Sequence, residues 1–124
     1  VNLLLDTHVF LWWDRRDQAL SAGARVAIED PSNDVFISAA SVWEIAIKRR
    51  LGKVTFHGSA SSAIGANGFH ELPIDAEDAG KLAWRHNDPF DRLLVAQAMR
   101  LGLVLLTADR SIRSCNGVAL LPAG

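Results

Sequence analysis

The sequence predicts a single three-layer α/β domain over residues 1–124, with a central, mainly parallel sheet of four to five strands flanked by helices. Three observations lead there. Short unbroken apolar runs recur at residues 3–5, 35–37 and 103–106, and apolarity at consecutive positions fits a strand buried on both faces. Stretches with helical periodicity alternate with these runs, as helix-crossover connections between parallel strands require. The chain has 124 residues, 49% of them apolar and 22% charged, a soluble globular composition able to bury roughly two-thirds of its unfolded surface.

Taken in order, residues 1–5 (VNLLL) form the first strand and stop at the carboxylate of Asp6. Residues 7–16 follow as a helix with Val9, Trp12 and Trp13 at helical spacing and Phe10 and Leu11 filling much of the remaining face. So apolar a helix is either deeply buried or covered by another subunit. Residues 17–30 read as a second helix through Leu20, Ala24, Ala27 and Ile28, weakened by Gly23 and stopped before Pro31. A Pro31-Ser32-Asn33-Asp34 turn leads to the strand at 35–37. Ser38 then caps a helix over 39–50 that places Ala39, Val42, Trp43 and Ala46 on one face and ends at Gly52.

Residues 58–68, rich in Gly, Ser and Ala, form a loop or a weak helix. Residues 69–74 make a third strand, which Pro73 restricts to a short or edge position. Asp75 opens a helix reaching about Trp84, with Asp78 completing a capping box. A helix over 89–101 is closed by Gly102, residues 103–106 form a fourth strand, and 118–121 a fifth.

Fourteen acidic residues face thirteen Lys and Arg, a net charge of -1, so no overall basic field announces nucleic acid. A local basic strip suffices for that purpose, and Lys48, Arg49, Arg50 and Lys53 supply a candidate, although a solvated helix end is the commoner meaning of such a cluster. The lone Cys115 makes no internal disulfide and fits a reducing compartment. No apolar stretch approaches the roughly 20 residues of a membrane helix, and Asp6 and His8 interrupt the opening apolar run where a signal peptide would be continuous. A cytoplasmic protein without membrane contact is expected.

In parallel α/β sheets, ligands bind beyond the carboxyl ends of the strands. Asp6 ends the first strand there, and Asp109 follows the fourth. Asp91 lies in the first turn of the helix between them, on the face of Leu94, Val95 and Ala98. Glu44 lies in the second turn of a helix that also leaves a strand tip. Converging carboxylates repel unless a cation sits among them, and hard oxygen ligands suit Mg²⁺ or Mn²⁺. Such a site activates water and neutralises charge on a phosphoryl group.

Each acid also has a plainer reading. Glu44 pairs with Lys48 four residues on, as surface helices commonly do. Asp88 before Pro89 is a helix cap with Pro at N1. Asp109 caps a short turn over 110–114, and Asp91 complements the positive end of its helix. His8, His57, His70 and His86 show no ligand spacing, no Ser sits in a nucleophile elbow, and the glycines make no phosphate-binding loop.

Four blocks, LLLDTHVFLWW, SAASVWEIAIK, DPFDRLLVAQA and LLTADRSI, stand in an order and spacing that resemble a PIN-domain ribonuclease, specifically a VapC-type toxin, over nearly the whole chain. The resemblance implies a catalytic, metal-holding set at Asp6, Glu44, Asp91 and Asp109, with Thr7 and Thr107 orienting the acids and Asp88 beside Asp91. It implies an Mg²⁺-dependent endoribonuclease, with Mn²⁺ as a substitute, that cuts structured RNA, leaves 5′-phosphate and 3′-hydroxyl ends and inhibits translation. It implies a homodimer neutralised by a cognate antitoxin, which alone binds DNA and is expected to place a basic side chain among the acids. Two other classes remain: a non-catalytic PIN-fold binding module, and an aspartyl-phosphate phosphotransferase. The latter calls for a second Asp close after Asp6, where His8 stands.

Overall fold

Leu3, Leu4 and Leu5 are all within 2% of complete burial, yet they do not share a core. Alternate side chains of a strand point to opposite faces. Leu3 and Leu5 accordingly pack with Phe10, Ile37 and Leu106, while Leu4 packs with Leu94, Leu105 and Ile112. One apolar cluster lies on each side of the sheet, which is what unbroken apolar runs require.

The computed structural model describes residues 1–80, 88–113 and 117–124. In chain order the elements are β1 (Asn2–Leu5), α1 (Thr7–Arg15), α2 (Ala22–Glu29), β2 (Asp34–Ser38), α3 (Ala39–Arg50), α4 (Ala60–Ala66), β3 (His70–Leu72), α5 (Ala76–Gly80), α6 (Pro89–Leu101), β4 (Val104–Thr107), α7 (Arg110–Arg113) and β5 (Ala119–Pro122). The strands lie in the order β3-β2-β1-β4-β5, every neighbouring pair parallel. β1 is central, with Leu4 opposite Phe36 of β2 on one side and Leu105 of β4 on the other. The chain winds outward from β1 through β2 to β3, then returns to β4, so the strand order reverses between β1 and β4. That reversal opens a crevice at their carboxyl ends, the usual ligand position in such sheets.

Helices α1, α2 and α4 cover one face, and α6 and α7 the other. Helix α3 serves both, Ile45 joining the first cluster and Ala40 the second. The first helix is buried by the chain itself: Phe10 is fully enclosed and stacks near Phe56 and Phe69, while Trp12 and Trp13 pack partly onto the same cluster.

The second helix is shorter than its periodicity predicts. It begins at Ala22, because Ser21 Oγ accepts from the Ala24 N–H at 3.1 Å while residues 17–20 are held in a turn by Asp17. Arg16 closes α1 in the left-handed region, at φ 55°, so the chain has turned before residue 17 and no helix continues through it. The apolar face of α3 also behaves unexpectedly. Ala39, Trp43 and Ala46 are exposed, Trp43 by 58%, and the buried face holds Ala40, Ser41, Glu44 and Ile45. The weak segment at 58–68 resolves into α4, capped by Ser59.

Other expectations hold with shifts of a residue or so. β3 is a short edge strand. β4 extends to Thr107, which pairs with Pro122 of β5. Asp75 and Asp78 exchange backbone N–H bonds at 3.2 and 2.9 Å as a capping box, and buried Asp78 also receives Arg100 of α6, tying α5 down. Trp84, His86 and Cys115 lie outside the described residues. Among the described residues, no helix is long and apolar enough to cross a membrane.

Candidate active site

The mouth of the crevice between β1 and β4 is built around Asp6, 3% exposed. Its N–H donates to Leu106 O at 2.9 Å, joining the two strand tips, and its carbonyl accepts from Phe10 N–H to start α1. Its side chain is held at both oxygens. Oδ1 accepts from the Thr7 N–H at 2.7 Å and Oδ2 from the Thr107 hydroxyl at 2.8 Å. The same Thr107 oxygen accepts from the Asp109 N–H at 3.0 Å, so one hydroxyl locks the loop after β4 to the carboxylate after β1. Burial pushes the Asp6 carboxyl above the usual carboxylate range, against the opposing pull of Thr107, His8 and Thr7.

Because Thr107 is fully buried and its hydroxyl serves two partners, Thr107→Val is expected to destabilise the fold by about 1–3 kcal/mol, the cost of stranding buried polar groups. Urea unfolding followed by tryptophan fluorescence measures it. A loss below about 0.5 kcal/mol would mean that water replaces the hydroxyl at little cost.

Glu44 approaches from α3. The 41, 44, 45, 48 spacing puts Ser41, Glu44, Ile45 and Lys48 on one side of that helix, and Ser41 accepts the Thr7 hydroxyl at 2.9 Å, which anchors the helix against α1. Glu44 is 2% exposed. Lys48 Nζ lies 2.7 Å from its Oε2, while Oε1 is buried without a hydrogen-bond partner among the described residues. The predicted Glu44–Lys48 pair therefore exists, but not as a surface pair.

Asp91 enters from α6, 7% exposed. Burial, and then the negative charges of Asp6, Asp88, Asp109 and Glu44, push its carboxyl up to about 8. The charges of Asp6, Asp88, Asp109 and Glu44 thus all act against ionisation of Asp91. Lys48 is held protonated, first by its hydrogen bond to Glu44, with Asp88 and Asp91 adding to the effect.

The capping readings hold as well. Asp88 Oδ1 accepts from Phe90 N–H at 2.9 Å, and Asp109 Oδ1 from the Ser111 and Ile112 N–H groups at 2.7 and 3.3 Å. Capping and membership of the acidic group are compatible, since both follow from lying at a helix start over a strand tip.

Among the described residues, no three His, Cys, Asp or Glu side chains form a metal-holding group. Mg²⁺ keeps several waters and is bound through one or two carboxylates rather than an all-protein cage. An all-oxygen donor set with one orphaned buried carboxylate oxygen fits that ion.

The sequence pattern of the PIN domain matches residues 3–117. The chain belongs to the PIN-domain family. It is 32% identical over 121 residues to ribonuclease VapC22 of Mycobacterium tuberculosis, with 91% of each chain covered. Its fold is that of VapBC2 from Rickettsia felis bound to a promoter DNA fragment (TM-score 0.66, 13% identity, all of both chains). VapBC-1 from nontypeable Haemophilus influenzae (0.64, 18%, 98% of each) and FitAcB from Neisseria gonorrhoeae (0.59, 22%, 96% of each) are also similar.

This PIN domain also holds a polar network that reading the sequence missed. Ser38 donates to Gln97 Oε1 at 2.6 Å and accepts from the Ala40 N–H, and Gln97 Nε2 donates to Pro73 O at 3.2 Å. Ser38 and Gln97 are fully buried, so they brace α6 against the tip of β2. The available signal was a Gln among the apolar residues of α6, flanked by Ala96 and Ala98.

Proposed function

We propose that this PIN domain is a divalent-cation-dependent endoribonuclease that acts as the toxin of a toxin–antitoxin pair, hydrolysing RNA and so inhibiting translation. What supports this reading is the burial of three acids, Asp6, Glu44 and Asp91, at the strand tips, with ionisation of Asp91 opposed first by burial and then by the charges of Asp6, Asp88, Asp109 and Glu44. Buried acids that oppose one another's ionisation suit a bound divalent cation. The relationship to a ribonuclease supplies the reaction class.

Asp6, Glu44, Asp91 and Asp109 are the proposed ligands, Mg²⁺ the proposed cation, and Mn²⁺ its substitute. When bound, the cation supplies Lewis acidity at a phosphoryl oxygen and acidifies water. The chain's own residues do the rest. Thr7 and Thr107 hold both oxygens of Asp6 in one orientation. Burial and the surrounding acids disfavour the ionised form of Asp91, which positive charge at the site would favour. Asp88 and Asp109 fix the starts of α6 and α7 while adding negative potential at the mouth. Arg49, Arg50 and Lys53, at the exposed end of α3, are placed to meet phosphates flanking the cleaved bond. A second copy of this chain and a cognate antitoxin are the proposed protein partners, with DNA reached only through the antitoxin.

Incubation of the purified chain with total RNA, followed by mapping of new 5′ ends, tests the proposal. Discrete new 5′-phosphate ends are expected with Mg²⁺ or Mn²⁺ and none in chelator. Identical cleavage in chelator removes the cation from the reaction. Intact RNA under all conditions removes the nuclease.

A further inference from the structure

A Glu and a Lys four residues apart on a helix normally meet at the surface and matter little. Here one partner is enclosed. The Glu44 side chain is 3% exposed and that of Lys48 33%, with 2.7 Å between Nζ and Oε2. The only described partner of the Glu44 carboxylate is therefore an amine standing at the edge of the acid mouth, within the field of Asp88 and Asp91. The other carboxylate oxygen is buried without a hydrogen-bond partner among the described residues. A buried carboxylate with one counter-charge depends on it strongly. That counter-charge sits on a flexible four-carbon stem whose end reaches water.

Resting on the reading of the acids as a cation site, we infer that Lys48 is a positioning residue that occupies Glu44 in the cation-free protein and surrenders it when a divalent cation enters. Ammonium and metal compete for one carboxylate at close range, where both charges are felt strongly. Lys48 thereby keeps the empty site folded and, by the same competition, weakens cation binding. A structural tether would behave differently, because its removal would disorder Glu44 and weaken the cation site.

Removing the charge therefore has two opposite effects, both readable without RNA. In chelator, Lys48→Met should melt several degrees below wild type, and the Lys48→Met/Glu44→Gln double variant should recover most of that loss. In calorimetric titration with MnCl₂, Lys48→Met should bind roughly tenfold more tightly than wild type, and Lys48→Arg close to wild type. Should Lys48→Met not fold, Lys48→Gln, which keeps a hydrogen bond to Glu44 without the charge, serves for the titration. Equal or weaker Mn²⁺ binding by the uncharged variants overturns the role of Lys48 alone. No Mn²⁺ binding by wild type overturns the cation site and this role together.

Discussion

Asp6→Ala and Asp91→Asn are each expected to lower RNA cleavage at least about a hundredfold, the scale on which single electrostatic contributors to catalysis act, while far-ultraviolet circular dichroism is unchanged. Asp91→Asn is the cleaner of the two because it preserves shape while removing the ionisable group, one acceptor oxygen becoming an amide donor. Asp6→Ala also strands the Thr107 hydroxyl and the Thr7 N–H, so about 1–3 kcal/mol of stability should go with the activity. Asp6→Asn separates the two losses. The assay is cleavage of a mapped RNA substrate with Mg²⁺ in excess. Wild-type rates from either variant would remove that residue from the ligand set and return it to its capping role.

The largest effect on stability is expected from pH and metal acting on Asp91. Its carboxyl is raised from the ordinary value of 3.8 to about 8 in the fold, so between those values the native state holds a proton that the unfolded state has lost. Stability from this group is fully present below about pH 4 and declines as pH rises to about 8, by up to about 1.4 kcal/mol per pH unit. Asp91→Asn abolishes the decline. In chelator the variant should match wild type near pH 4.5 and exceed it by a few kcal/mol at pH 8, an upper bound given solvent relaxation around the site. Saturating Mn²⁺ should narrow or reverse the order, since a ligand at a hundred times its dissociation constant adds about 2.7 kcal/mol to the protein that binds it. Urea unfolding at pH 4.5, 6.5 and 8, with and without Mn²⁺, measures this. If Asp91→Asn is less stable throughout and both proteins respond to metal alike, Asp91 is a helix cap and the cation lies elsewhere.

Legibility differed between the two halves of the site. Asp6 follows its apolar run directly and Asp109 stands three residues past the run at 103–106, so the rule that ligands gather at strand ends made both candidates. Asp91 was located by the face it shares with Leu94, Val95 and Ala98, all of them buried. Glu44 was located only ambiguously, since its spacing to Lys48 reads equally as a surface pair. The mistaken start of α2 has a related cause. Apolar periodicity through Leu20 was continuous, but the turn at residues 16–20 is made by a left-handed Arg and an Asp side chain, neither of which interrupts a periodic pattern.

By itself, the sequence determined that strands alternate with helices around a parallel sheet, and that carboxylates collect at its carboxyl edge. Both follow from local patterns: buried strands need unbroken apolar runs, and helix starts over strand tips favour Asp and Ser. Only the tertiary structure decided which face of α3 is buried. Apolar content would have chosen Val42 and Trp43, whereas the fold turns Ser41 and Glu44 inward, where Ser41 meets the Thr7 hydroxyl and Glu44 is paired with Lys48. It also decided that the ion pair of Glu44 and Lys48 is half enclosed, and that Ser38 and Gln97 brace α6 against the tip of β2. Burial of a polar side chain depends on partners 34 to 59 residues away in the chain, and no local pattern carries that information.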